Sequence, residues 1–106
     1  MAEALSNNDP QKKVLTDYKK EYETKFKEEA STFGGHAYDA MLILTKGIEK
    51  ANSTDREVVR KTIEGLKGIV GTAGIFNFSP EDHNGLDLSS FVMLTVKNGK
   101  FALLWK

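Results

Sequence analysis

The sequence of 106 residues contains no cysteine. This absence excludes a disulfide framework, a zinc site built from thiolates and a cysteine nucleophile. It leaves the cellular compartment open, because exported proteins often lack disulfides as well. Any chemistry of this chain therefore has to come from side chains other than thiols.

An excess of either charge is also missing, because 15 lysine and arginine residues balance 15 aspartate and glutamate residues. No global positive field is therefore available to attract nucleic acid, and we expect no nucleic-acid partner. Apolar runs such as Met41–Leu44 fall far short of the roughly 18 to 20 residues that a membrane-spanning helix needs. Residues 1–9 have neither a basic start nor an apolar stretch, so the chain as written is expected to carry no signal peptide.

The composition that is present, 28% charged and 40% hydrophobic residues, is typical of a folded soluble protein. The length fits one unit spanning residues 1–106. We divide it into a first helix (1–30), two further helices (31–68) and a strand region with a hairpin (69–106).

Three helical patterns occupy residues 1–68. The first begins at Asp9–Pro10, a capping residue followed by a proline that suits the first helical position. It continues with an apolar stripe that we expect to face the core (Val14, Leu15, Tyr18, Tyr22 and Phe26). The third begins at a capping box, Thr54–Glu57, and is expected to end near Lys67 with Gly68 as a left-handed cap.

The second pattern, His36–Ala51, is apolar around most of its circumference and predicts a helix buried on more than one side. Gly34 and Gly35 precede it and predict a junction that something approaches closely. Gly47 within the helix is unfavourable unless a neighbouring element packs tightly against it.

Residues 69–106 change to a period of two or less. Ala73–Phe78, Phe91–Val96 and Phe101–Trp105 are rich in aromatic and β-branched residues and predict strands. Asn98–Gly99 predicts a two-residue type I′ hairpin turn, and residues 79–87 form a polar loop. Three helices followed by a strand and a C-terminal β-hairpin indicate an α+β unit.

Groups for catalysis or metal binding are sparse. The acidic loop containing Asp82 and Asp87 lacks the ligand spacing of a calcium loop, and His36 and His83 lie in different elements. Gly71–Gly74 leads into a strand, whereas phosphate-binding loops lead into a helix. We therefore expect no catalytic residues, no metal and no cofactor, and do not expect an enzyme.

Five motifs in succession carry a family resemblance: Asp9-Pro10-Gln11-Lys12-Lys13-Val14, Ser31-Thr32-Phe33-Gly34-Gly35-His36-Ala37-Tyr38-Asp39-Ala40, Ser53-Thr54-Asp55-Arg56-Glu57, Ser79-Pro80-Glu81-Asp82-His83-Asn84-Gly85-Leu86 and Val96-Lys97-Asn98-Gly99-Lys100-Phe101. In this order they resemble the C-terminal portion of the type I periplasmic solute-binding proteins of ABC transporters. More narrowly, the chain is similar to the branched-chain amino acid receptor group, whose relatives also take up amides and aromatic carboxylates.

The resemblance implies that the chain is an α+β fragment of a two-lobed α/β fold that closes on its ligand by a hinge. It implies an extracytoplasmic parent whose partners are a small solute and an ABC permease and ATPase complex. The segment that grips the ligand's α-carboxylate in the family is absent here, so we expect the isolated fragment not to bind the solute.

The resemblance also implies ligand-binding positions. An aromatic residue before the second helix lines the family's cleft and corresponds to Phe33, with His36 and Tyr38 as further candidates on the same helix. The alternative is that Phe33 only staples the start of the helix.

A different class of function is a stand-alone interaction module that acts as a homo-oligomer. The second helix and the hairpin from Phe91 to Trp105 would leave apolar faces uncovered in the isolated chain. We expect those faces to drive self-association.

Overall fold

The computed structural model describes residues 2–105. A 3-10 turn (Ala2–Ala4) precedes α1 (Pro10–Phe26), α2 (Thr32–Ala51) and α3 (Arg56–Glu64). Two short strands, β1 (Ile69–Val70) and β2 (Ile75–Phe76), form one antiparallel pair, and β3 (Met93–Lys97) and β4 (Lys100–Trp105) form another. The predicted order of helices followed by strands is confirmed. The two-residue strand β1 was not predicted, because so short a segment carries no alternating pattern.

Helix α1 begins where the sequence places it. The Asp9 carboxylate accepts a hydrogen bond from the Gln11 amide at 2.9 Å, and Pro10 occupies the first helical position. The first four residues of the predicted stripe are half-buried. The expectation of a core-facing residue is wrong for Phe26, which is more than half exposed at the end of the helix.

Helix α2 begins four residues earlier than predicted, because Ser31 caps it. The Ser31 hydroxyl accepts from the Gly34 amide at 3.2 Å, so Gly34 and Gly35 lie inside the first turn and do not interrupt the helix. The prediction that α2 is buried on more than one side is wrong for this chain. Its buried residues are Gly35, Asp39 and Gly47.

Both ends of α3 differ from the prediction. The Asp55 carboxylate accepts from the Val58 amide at 3.0 Å, so Asp55 and not Thr54 caps the helix, which starts one residue later than a Thr54 cap would place it. The helix ends at Glu64 with a right-handed cap at Gly65. Gly68 does adopt a left-handed conformation, with φ of 67°, but it lies in the connection to β1.

The C-terminal hairpin confirms its predicted turn. Asn98 and Gly99 have φ angles of 52° and 73°, as a type I′ turn requires. The register pairs Val96 with Phe101 and Leu94 with Leu103. These four apolar side chains share one face of the hairpin, because every second residue of a strand faces the same side.

A small core lies between α2, α3 and the first strand pair. It consists of Leu66, Ile69, Phe76 and Phe78, with the two phenylalanine rings stacked at 5.7 Å between centroids. Gly47 brings α2 against α3, because a Cβ atom there would lie 2.6 Å from Ile63 Cγ1. The expected close approach at Gly47 is therefore confirmed.

Two apolar faces remain exposed, as expected. One runs along α2 and includes Phe33, Met41 and Leu44, and the other is the hairpin face that contains Val96 and Phe101. The radius of gyration is 15.6 Å, whereas a compact domain of about 100 residues has about 13 Å. No helix within residues 2–105 is long and apolar enough to cross a membrane.

Candidate functional site

The first two turns of α2 carry the three residues predicted as ligand contacts. Phe33 is 85% exposed, and His36 and Tyr38 are also exposed. A helix advances by about 100° per residue, so Phe33 and His36 lie about 60° apart, and Tyr38 lies about 140° from Phe33. The structure therefore brings Phe33 and His36 to one side of α2 and places Tyr38 on another.

Tyr38 faces α1. Its ring lies 5.5 Å from the ring of Tyr18, tilted by 51°, and Tyr18 in turn contacts Tyr22 at 5.8 Å. Tilted aromatic pairs at these distances stabilise helix packing. In this chain Tyr38 thus contributes to the contact between α1 and α2, and its role as a ligand contact stays a prediction.

Phe33 has no comparable aromatic contact among the side chains that the structure describes. A hydrophobic staple would cover the ring against the first turn of the helix, but the ring is 85% exposed. The stapling alternative therefore does not describe this chain. The role of Phe33 as a ligand contact also stays a prediction.

Two glycines after Phe33 allow close packing beneath it. A Cβ atom at Gly34 would collide with the Tyr18 hydroxyl, and one at Gly35 would lie 2.7 Å from Thr72 Oγ1. The Tyr18 hydroxyl also donates to the Ser31 carbonyl at 3.3 Å. The predicted close approach at the two glycines is confirmed, and it fixes the base of the turn that carries Phe33.

The Tyr18 phenol stays protonated over a wide pH range. Burial raises the pKa of Tyr18, and the neighbouring Tyr22 and the negative charge of Asp39 raise that pKa further. The neutral form is the form that can donate to the Ser31 carbonyl. Near neutral pH this contact between α1 and the start of α2 is therefore intact.

Asp39 is a structural residue of this region that sequence reasoning missed. Its side chain is only 2% exposed. One carboxylate oxygen accepts from the Thr72 amide at 2.6 Å, and the other accepts from the Ala73 amide at 2.9 Å and the Thr72 hydroxyl at 3.0 Å. The sequence does carry one signal for this role. Asp39 is a charged residue inside an apolar helical run, and it lies four positions after Gly35, on the same face of the helix.

The Gly71–Gly74 loop, which we call the GTAG loop, joins β1 to β2 and meets both α1 and α2. The Gly71 amide donates to the Gly74 carbonyl at 2.9 Å and closes the loop. The Gln11 side-chain amide donates to the Thr72 carbonyl at 2.8 Å. The Thr72 and Ala73 amides of this loop thus donate to the Asp39 carboxylate of the chain itself and are not available to a bound phosphate.

Comparison with known proteins places this arrangement in a family. The family model described as periplasmic binding protein matches residues 2–100. The chain belongs to this family. No curated protein sequence is significantly similar to it.

Solved structures of several bacterial proteins contain the same fold. The protein Rp1789 of Rhodopseudomonas palustris strain CGA009 is 30% identical with a TM-score of 0.85, covering 97% of this chain and 31% of its own. An extracellular ligand-binding receptor of Rhodopseudomonas palustris HaA2 is 33% identical, with the same TM-score and the same two coverages. The leucine-binding protein LivK of Thermotoga maritima is 25% identical with a TM-score of 0.67, covering 97% of this chain and 27% of its own. The chain therefore spans about a third of the length of these relatives.

A concave surface of this periplasmic binding protein chain lies between α2 and α3. It is a groove of about 430 Å³ whose apolar lining includes Leu44, Val59 and Phe78. At its rim Glu64 accepts from Arg60 at 2.6 Å and lies 3.1 Å from His83 Nε2. Exposed ion pairs of this kind contribute little to stability.

The polar loop at residues 79–87 bonds mainly to itself. The Asp82 carboxylate accepts from the Asn84 and Gly85 amides at 2.9 and 3.1 Å, and the Ser79 hydroxyl accepts from the Asp82 amide at 3.0 Å. These are the local bonds expected of a turn built from Asp, Asn and Ser. Within residues 2–105, no group of three or more histidine or carboxylate side chains is arranged to hold a metal ion.

Proposed function

We propose that this chain is part of the substrate-binding receptor of an ABC importer. The solutes would be branched-chain amino acids or related small carboxylates and amides, including aromatic acids. The receptor would be extracytoplasmic and would deliver the solute to a permease and ATPase complex. Binding without chemical conversion is its role, so we do not propose an enzyme.

The observation that carries this proposal is the presentation of Phe33. Its ring is 85% exposed at the start of a helix whose base is packed against Tyr18 and Thr72. Small-molecule sites combine apolar and aromatic walls with a few fixed polar groups. An outward-facing aromatic ring on a tightly packed helical turn suits the wall of a cleft between two lobes, with His36 at the rim on the same side.

The leucine-binding neighbour supports the class of solute, and the extracellular ligand-binding receptor supports a binding role. An aliphatic or aromatic side chain of the solute would pack on the Phe33 ring. The charged ammonium and carboxylate groups would be bound by polar groups of the complete receptor. In this proposal Phe33 on α2 therefore binds the apolar side chain of the solute.

Replacing Phe33 with alanine in the complete receptor tests this proposal. We expect solute affinity to fall by about 1 to 3 kcal/mol, or about 5- to 150-fold in Kd, because the ring's apolar contact with the solute is lost. Isothermal calorimetry with leucine, valine, phenylalanine and benzoate measures the effect. The melting temperature of the free receptor should change little, because the exposed ring stabilises few contacts of its own.

Phe26→Ala is the matched control for this test. Phe26 is also an exposed phenylalanine, but it lies at the far end of α1 and contacts Tyr22. We expect unchanged affinity for this variant. A Phe33→Ala receptor that melts early yet binds its solute normally would assign Phe33 to packing and contradict the proposed role.

A second candidate function is a homo-oligomeric interaction module, which the exposed hairpin face favours. Leu94, Val96, Phe101 and Leu103 present one continuous apolar face, and within the described residues β3 and β4 have no other strand as a neighbour. Monomeric proteins rarely leave such a face and such strand edges open to water. A second copy related by a two-fold axis would cover both.

The isolated chain is accordingly expected to sediment as a homodimer or larger species at micromolar concentration. Phe101→Glu should shift it toward monomer, because a charge at the centre of the contact would lose its hydration. Leu88→Glu, at an equally exposed position outside the hairpin, is the control and should leave the assembly unchanged. A clean monomer with cooperative melting would contradict self-association and show that these residues close their own core.

A further inference from the structure

The GTAG loop and the buried carboxylate of Asp39 form a closed set of hydrogen bonds. Each carboxylate oxygen faces a backbone N–H, one from Thr72 and the other from Ala73. A backbone N–H can only donate. Both oxygens therefore have to be acceptors, which a carboxylate satisfies and a carboxamide does not.

This contact packs the side of α2 that faces away from Phe33, because Gly35 and Asp39 lie about 160° and 120° around the helix from Phe33. Asp39 is four residues after Gly35, so the two positions lie on the same face of α2. Both meet Thr72: Gly35 by close approach and Asp39 by hydrogen bonding. The same threonine is held to α1 through its carbonyl and Gln11. One loop residue thus fixes α2 relative to α1 at the level of Phe33.

The residues of the GTAG loop leave space for the Asp39 carboxylate and provide hydrogen-bond donors to it. A Cβ atom at Gly71 would lie 2.7 Å from one Asp39 oxygen, so only glycine leaves room for the charged group. The loop presents two amides and a hydroxyl to one small anion, as backbone anion sites do. Here the anion is part of the protein, and its removal would leave three donors without acceptors.

We propose that Asp39 is a positioning residue of the binding site, whose carboxylate fills the anion site of the GTAG loop and thereby holds Phe33 in its binding direction. The inference rests on the proposed function for its link to affinity. The lock between the loop and α2 can be measured without any solute.

Hydrogen exchange on the 106-residue chain tests the lock. We expect Asp39→Asn to raise the exchange rates of the Thr72 and Ala73 amides, and of amides in the first two turns of α2, at least tenfold. Amides of α3 should change much less. Thr72→Val is a milder second variant, because it removes only the hydroxyl and keeps both amides. It should give a smaller effect in the same residues, and Thr72→Ser, which keeps the hydroxyl, should restore near-native rates.

Formate provides a test that is specific for the carboxylate. Asp39→Ala removes the three heavy atoms of the carboxylate group, and formate consists of the same three heavy atoms. Formate can therefore fill the space that the substitution leaves and accept from the same donors. We expect sodium formate to slow exchange at Thr72 and Ala73 in this variant by several-fold more than sodium chloride at the same concentration. Equal effects of the two salts would overturn the anion-site assignment.

Affinity in the complete receptor tests the positioning role. Asp39→Asn should weaken solute binding at least tenfold in the wild-type background and far less in a Phe33→Ala background, because Asp39 acts through Phe33. Equal losses in both backgrounds would overturn positioning and leave a general structural role. A wild-type receptor that binds none of the four solutes, with the exchange results as expected, would reject the proposed function and keep the lock. Unchanged exchange in Asp39→Asn would reject the lock, whatever the receptor binds.

Discussion

Replacing Gly71 with alanine is expected to lower the free energy of unfolding of this chain by about 3 kcal/mol. The added methyl group would lie 2.7 Å from Asp39 Oδ1 and 2.8 Å from Phe76 Cε2. The first contact displaces a buried carboxylate from its hydrogen bonds, and the second pushes on a core ring. Urea denaturation measures the change. The midpoints of the variant and the wild type are compared at the same protein concentration, and the dependence of the unfolding free energy on urea (the m-value) should be unchanged.

Gly65→Ala is the matched control for the Gly71 variant. Gly65 ends α3 in a right-handed conformation, and a Cβ atom there would meet only the Thr62 carbonyl, at 3.6 Å. We expect a change within about 1 kcal/mol, because alanine fits and reduces the entropy of the unfolded chain. If both variants unfold at the wild-type midpoint, the tight contact around Asp39 does not stabilise the fold as described.

The isolated 106-residue chain is expected to show no saturable heat with leucine, valine, phenylalanine or benzoate. A closed two-lobed site needs polar groups from both lobes to bind the solute's charged groups, and a buried charge without a partner costs several kcal/mol. Phe33 by itself offers one apolar wall. The isolated chain is therefore expected to lose more solute affinity, relative to the complete receptor, than any single substitution in that receptor would.

Two controls accompany the calorimetry of the isolated chain. Circular dichroism should show the helical content of α1 to α3. This control ensures that a lack of binding is not caused by a lack of folding. The complete receptor, titrated under the same conditions, should bind one of the solutes. Micromolar binding by a monomer of the isolated chain would contradict the division of the site between two lobes.

Local features of the sequence predicted much of the fold. The Asp9–Pro10 start of α1 and the Asn98–Gly99 turn depend on backbone conformations that these residues themselves favour. Errors occurred where two neighbouring residues compete for one role. Asp55 and not Thr54 caps α3, and Ser31 starts α2 ahead of two glycines, because a capping bond outweighs the flexibility of glycine in the first turn.

Burial was less predictable than secondary structure. The apolar circumference of α2 predicts burial on more than one side, and this is wrong for this chain, in which the buried residues of the helix are Gly35, Asp39 and Gly47. Phe33 and Met41 remain exposed. A sequence pattern reports which surfaces are apolar, but contact partners from outside the segment decide which of them are covered.

The sequence by itself determined that helices precede strands and where the hairpin turns, because both depend on short-range propensities. It offered Phe33 as a candidate only through the family resemblance. Only the tertiary structure decided that Asp39 is a buried anchor. Its three donors come from residues 72 and 73, more than thirty positions away, and no local pattern encodes that separation. The same holds for Gly71, whose need for glycine arises from a carboxylate on another element and not from its own backbone angles.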